Sequence, residues 1–66
     1  MNKKDFKKEF KTLMKSHKSI VVELKNSDVV FADDYENTTF AFLSVWLKWK
    51  GDRIILVDYA HIRCLA

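Results

Sequence analysis

The apolar residues of this sequence change period once, and that change divides the chain into two kinds of structure. Between Asn2 and Ser16 they stand at Phe6, Phe10, Leu13 and Met14, a spacing that places all of them on one stripe of a 3.6-residue helix. From Ile20 onward, β-branched and aromatic residues alternate with polar ones or run together in short stretches, the pattern of strands. A basic amphipathic helix is therefore expected over residues 1–17, with Asn2 capping its start and Asp5 in the positively polarised first turn. A helix of about fifteen residues is marginal alone, so its stripe must dock on whatever the rest of the chain forms.

That remainder reads as strands joined by short connections. Ile20 to Lys25 is the first, with Ile20, Val22 and Leu24 inward. Asn26-Ser27-Asp28 supplies a tight turn, because short polar side chains tolerate the backbone angles that such turns need. Val29 to Ala32 is the second strand, and the acidic segment Asp33 to Asn37 leads out of it. A third, long strand is expected from Thr39 to Lys50. One of its faces carries Ala41, Leu43, Val45, Leu47 and Trp49, and the other carries Phe40, Phe42, Ser44, Trp46, Lys48 and Lys50. Gly51-Asp52 turns it into Arg53 to Val57, Asp58 to His61 is a short break, and Ile62 to Leu65 is a last strand. The expected fold class is α+β, mainly β: one domain over 1–66, with a helix at 1–17 and a strongly bent, five-stranded antiparallel sheet at 19–66.

Composition restricts the functional class. Hydrophobic residues make up 48% of 66 residues, and a chain this short buries only about 60% of its unfolded surface. The surplus points to a partner or to other copies of the chain. Segment 1–18 holds seven lysines against Asp5 and Glu9, a local balance of +5, and the rest of the chain is acidic at −2. This asymmetry suits a phosphate-bearing partner, and a solvated helix face produces the same count. One cysteine, Cys64, cannot close an intramolecular disulfide, so a reducing cytosol is the expected location. No apolar stretch has the length of a secretory core or a membrane span, so no membrane association is expected.

The order of helix and strands, and the tight break before the final strand, resemble the Sm-like family. Asp33, Tyr35 and Asn37 in Asp-Asp-Tyr-Glu-Asn correspond to the aspartate, aromatic and asparagine of that family's first motif. Val57-Asp58-Tyr59-Ala60-His61-Ile62 is similar in outline to its second. The hairpin between Leu24 and Asp33 is shorter than the family's, the first-motif glycines are missing, and Asp58-Tyr59 stands where a basic-glycine pair would be. The resemblance implies a small barrel, a homo-oligomeric ring, and single-stranded RNA or a nucleotide as ligand. A divergent Sm-like or SH3-like barrel with another ligand accounts for the same residues.

On that reading Tyr35 and Asn37 would stack on and hydrogen-bond a base, with Asp33 beside them, because unpaired RNA is read by aromatic platforms and amides. Tyr59 and His61 would line the pore, and Lys4, Lys8 and Lys11 would neutralise phosphates. An ordinary polar turn, a structural histidine and a solvated lysine face are the commoner explanations of these residues. Phe40, Phe42, Trp46 and Ile54 form the alternative site, an aromatic strand face through which a small phage- or plasmid-type module would occupy a host protein. Catalysis has no support in the residues. There is no nucleophile-base motif and no glycine-rich phosphate loop, and His17, His61 and Cys64 are too scattered for zinc, so no cofactor is expected.

Overall fold

A computed structural model describes all residues, Met1–Ala66. Helix α1 spans Lys3–Met14. Asn2 caps it from an extended backbone: its Oδ1 accepts the Asp5 N–H at 2.8 Å, and its amide donates back to the Asp5 carboxylate at 3.2 Å. The helix stops three residues before the expected end, because Met14 is its last apolar anchor. Beyond it the Ser16 and His17 N–H groups turn back to the Leu13 carbonyl, at 3.1 and 2.9 Å, and the side chains there are exposed.

The strands are β1 (Ile20–Leu24), β2 (Val29–Ala32), β3 (Thr39–Phe40), β4 (Ser44–Trp49), β5 (Arg53–Asp58) and β6 (Ile62–Leu65). They form two antiparallel three-stranded sheets, ordered β2-β1-β6 and β3-β4-β5, in place of one bent five-stranded sheet. In the first sheet Ile20 pairs with Ala32 and Val22 with Val30, around a turn in which Ser27 takes φ +75° and Asn26 Oδ1 accepts the Asp28 N–H. The expected turn and both expected strands are present here. Strand β6 lies on the other side of β1, with a register shift at Glu23/Leu24.

The second sheet corrects the expectation of one strand from Thr39 to Lys50. The chain reverses at Ala41–Ser44, where the Ala41 N–H donates to the Ser44 carbonyl at 2.9 Å. Phe40 then pairs with Val45, and Thr39 with Trp46. A straight strand would have needed cover on both apolar faces. Folding back sends Phe40 and Val45 to the core side and leaves Phe42 and Leu43 at the tip, 84% and 72% exposed. The β4–β5 hairpin closes at Lys50 and Gly51, both with positive φ, at +53° and +82°. Glycine suits the second position because φ +82° is costly for a residue with a Cβ. A 3₁₀ turn at Tyr59–His61 carries the chain from β5 across to β6.

Asp33 joins the two sheets. Its N–H donates to the Lys48 carbonyl at 3.1 Å, and both its carboxylate oxygens accept the Lys50 N–H at 3.2 Å. The core comprises Phe6, Phe10, Ile20, Val22, Ala32, Val45, Leu47, Val57, Tyr59 and Ile62. Phe6 is fully buried and meets Phe10, Tyr59 and Phe40 with ring centroids 5.8 to 6.2 Å apart. Phe6→Ala is expected to lower stability by about 3–5 kcal/mol in urea denaturation. Phe42→Ala, at the exposed tip, is expected to stay within about 0.5 kcal/mol in the same dilute assay.

Candidate nucleic-acid and protein interfaces

The residues expected to form a base site share one loop but have separate structural roles. The Tyr35 ring is half-buried, edge-on to Phe10 at 5.3 Å and tilted against Phe40 at 5.4 Å. Asn37 donates its backbone N–H and its side-chain amide to the Asp34 carboxylate, at 3.1 and 2.9 Å. These bonds hold the Asp34 carboxyl below its ordinary range. Thr38 donates its hydroxyl to the Asp34 carbonyl, and Asp33 is engaged with the β4–β5 turn. Asn37 is the exposed member of the trio.

Tyr59 and His61, both expected to line a pore, stand at the two ends of the 3₁₀ turn in different surroundings. Tyr59 is 4% exposed and donates its hydroxyl to the Ala41 carbonyl at 3.1 Å. Burial raises its phenol above the usual tyrosine range. His61 is on the surface, 3.7 Å from the Asp58 carboxylate.

The lysines fall into two groups that composition alone did not separate. Lys3, Lys7, Lys11 and Lys15 recur every fourth residue and so follow one row along α1. This row borders β3 and the loop before it. Lys3 lines a hollow with Phe42 and Leu43, the Lys7 ammonium sits 5.2 Å from the Phe40 ring centroid, and Lys11 and Lys15 line a hollow with Tyr35. Lys8, one helical turn from Lys4 and Lys11, lines a separate groove of about 610 Å³ that also holds Asp5, Glu9 and Arg63. Of the expected trio Lys4, Lys8 and Lys11, only Lys11 belongs to the row beside the aromatics. The four-residue spacing was the signal in the sequence.

The expected protein interface is brought together in part. Trp46 faces outward opposite Leu56, with Ile54 further along the same face of the hairpin; the three are 45%, 48% and 56% exposed. Phe42 is exposed at the tip, whereas Phe40 packs against Phe6, Phe10 and Tyr35. Leu43, Leu56 and Phe31 are exposed members that sequence reading missed. Phe31 stands 5.4 Å from Trp49, and together with Val30, Arg53, Ile54 and Ile55 they line an apolar groove of about 290 Å³. Strand β5 is an edge, hydrogen-bonded in its sheet to β4 alone.

Cys64 is half-buried, and its thiol donates to the Glu23 carboxylate at 3.1 Å. That bond, then burial and the Glu23 charge, raises the thiol above its ordinary range. No helix is long and apolar enough to cross a membrane. No family model, curated protein or solved structure matches this chain.

Two outcomes follow from these ionisable groups. The raised phenol of Tyr59 means that its contribution to stability is complete below about pH 10, the ordinary tyrosine value, and is lost as pH climbs toward the folded value. Tyr59→Phe is expected to flatten that alkaline loss in denaturation curves from pH 9 to 12. At neutral pH it should cost about 1–2 kcal/mol through the forsaken Ala41 carbonyl. Glu23→Ala removes the acceptor and the charge that hold the Cys64 proton, so alkylation by iodoacetamide at pH 7.5 is expected to run faster than in the parent chain.

Proposed function

We propose that this chain is a non-catalytic, homo-oligomeric binding module, a divergent small barrel of the Sm-like or SH3-like kind. The observation that carries the reading is the quantity of large apolar side chain left outside the core. Phe42, Leu43, Trp46, Ile54, Ile55 and Leu56 are all exposed, and all lie on the β3–β4 turn or the β4–β5 hairpin. Exposed apolar surface in this quantity marks interaction sites, and pairing among copies also protects an edge strand such as β5. The barrel reading draws support from the Asp33 N–H reaching the Lys48 carbonyl between the sheets, and from the 3₁₀ turn that returns the chain from β5 to β1 by way of β6.

Single-stranded RNA is the proposed ligand of the assembled module, and its contact is the row Lys3, Lys7, Lys11 and Lys15. The row carries no acid of its own and runs beside Phe40 and Tyr35. Repetition around an oligomer would extend it into a track for a phosphate backbone, with Asn37 the amide nearest to solvent in the adjoining loop. A host protein seated on Trp46, Ile54 and Leu56 is a second reading, favoured by the outward orientation of these three on one hairpin face.

Light scattering after size exclusion, with and without a short oligouridine, tests the proposal. A mass several times 7.8 kDa is expected, together with RNA affinity whose logarithm falls against log salt with a slope of about −3, as four lysines on a single strand imply. The double variant Lys7→Glu, Lys11→Glu is expected to abolish RNA binding and keep the mass, and Lys4→Glu is expected to cost less. A monomer indifferent to RNA would rule the proposal out and leave the protein-partner reading.

A further inference from the structure

Two apolar features sit at opposite ends of the β4–β5 hairpin and differ in shape. One is a projection, the turn carrying Phe42 and Leu43. The other is a depression, the groove of about 290 Å³ lined by Phe31, Trp49, Arg53, Ile54 and Ile55. The strand register fixes their placement. The pair Ser44–Asp58 marks the end of the hairpin beside the projection, and Trp49–Arg53 marks the end beside the groove. Five residues of strand, about 17 Å, separate those ends, so the projection of one chain cannot fill its own groove.

The projection is held rigidly for so exposed an element. The Ala41 N–H donates to the Ser44 carbonyl, the Tyr59 hydroxyl donates to the Ala41 carbonyl, and the Tyr59 N–H donates to the Leu43 carbonyl at 3.1 Å. Three hydrogen bonds across a four-residue turn keep Phe42 and Leu43 outside, where they cannot fold back onto the surface. A preorganised apolar projection loses little entropy when it docks. The groove stands at the lower limit of the ~300–1,000 Å³ range of ligand pockets, room for one or two side chains.

Charge also matches. Asp58 borders the hollow beside Phe42 and Leu43, and Arg53 lines the groove. The groove is basic beyond Arg53, since the Lys50 ammonium lies 5.4 Å from the Trp49 ring centroid, while Lys3 shares the hollow beside the projection with Asp58. Such rim pairs add little affinity but set register and direction.

We infer that copies of this chain dock head to tail, the Phe42–Leu43 turn of one entering the Phe31–Trp49 groove of the next with Asp58 facing Arg53. The contact is heterologous: each copy offers one projection and one groove, and both are covered in every copy only in a closed ring or a continuing filament. This inference rests on the homo-oligomeric reading and specifies its interface.

Complementation between two variants tests it. Leu43→Glu spoils the projection and leaves the groove, whereas Ile54→Glu spoils the groove and leaves the projection. Both positions are more than half exposed, so the core is undisturbed, and circular dichroism checks the fold. Each variant alone is expected at the single-chain mass of 7.8 kDa, and an equimolar mixture is expected at twice that mass, because one good projection then meets one good groove. Asp58→Arg and Arg53→Asp are each expected to weaken assembly of the full chain severalfold, and their combination to restore it. If the single variants keep the parent oligomer, or their mixture stays at the single-chain mass while the parent assembles, head-to-tail docking is overturned and the oligomeric reading survives. A parent chain that remains monomeric at hundreds of micromolar overturns both.

Discussion

Every other feature of this molecule depends on the docking of two phenylalanines, Phe6 and Phe10, into the opening between two small sheets. A helix of twelve residues is marginal alone in water, so it and the two small sheets stand by packing on one another. Phe6 meets Phe40 of β3 and Tyr59 of the 3₁₀ turn, while Phe10 meets Phe40 and Tyr35. One helix face thereby holds the short β3 strand, the turn into β6 and the loop before β3. The N-terminal ammonium adds to this, donating to the Tyr59 and Ile62 carbonyls at 3.3 and 3.2 Å.

Smallness has a consequence at the surface. Ten residues are buried, and none of them is charged. A chain that is nearly half hydrophobic cannot place all of that material in so small a core, and most of the excess lies on the second sheet and its turns, with Val29 and Phe31 on β2. Along α1 the lysine row runs beside aromatic rings, with Asp58 and Glu36 bordering the hollows at its two ends, while Lys8 shares a groove with Asp5, Glu9 and Arg63.

Much of the local structure was legible. The helix stripe, the Asn2 cap, the β1–β2 hairpin with its Asn26-Ser27-Asp28 turn, the glycine turn and the break before β6 all follow from periodicity and turn chemistry. The turn at Ala41–Ser44 was not legible. Ala, Phe, Leu and Ser lack the glycine, asparagine or proline that signals a reversal, and what holds the turn is Tyr59, nearly twenty residues away. The candidate sites divide in the same way. Phe42, Trp46 and Ile54 could be named as surface from the surplus of apolar residues, whereas Phe40 looked equivalent to them and is packed against the helix. Tyr35 and Asn37 looked like a free base platform because a sequence does not show that Phe10 and Asp34 already engage them.

By itself, then, the sequence determined what each segment prefers: helix where the apolar period is 3.6, strand where it is 2, reversal where short polar residues or glycine stand, and a basic end opposed to an acidic remainder. Those are local properties, set by backbone sterics and by neighbours within a few residues. Only the tertiary structure decided that Thr39 to Lys50 folds back on itself, that the strands divide into two sheets joined through Asp33, and that the Phe42–Leu43 turn and the Phe31–Trp49 groove occupy opposite ends of one hairpin. Those outcomes depend on which of many apolar residues reaches the limited interior, and that competition is settled between groups distant in the chain.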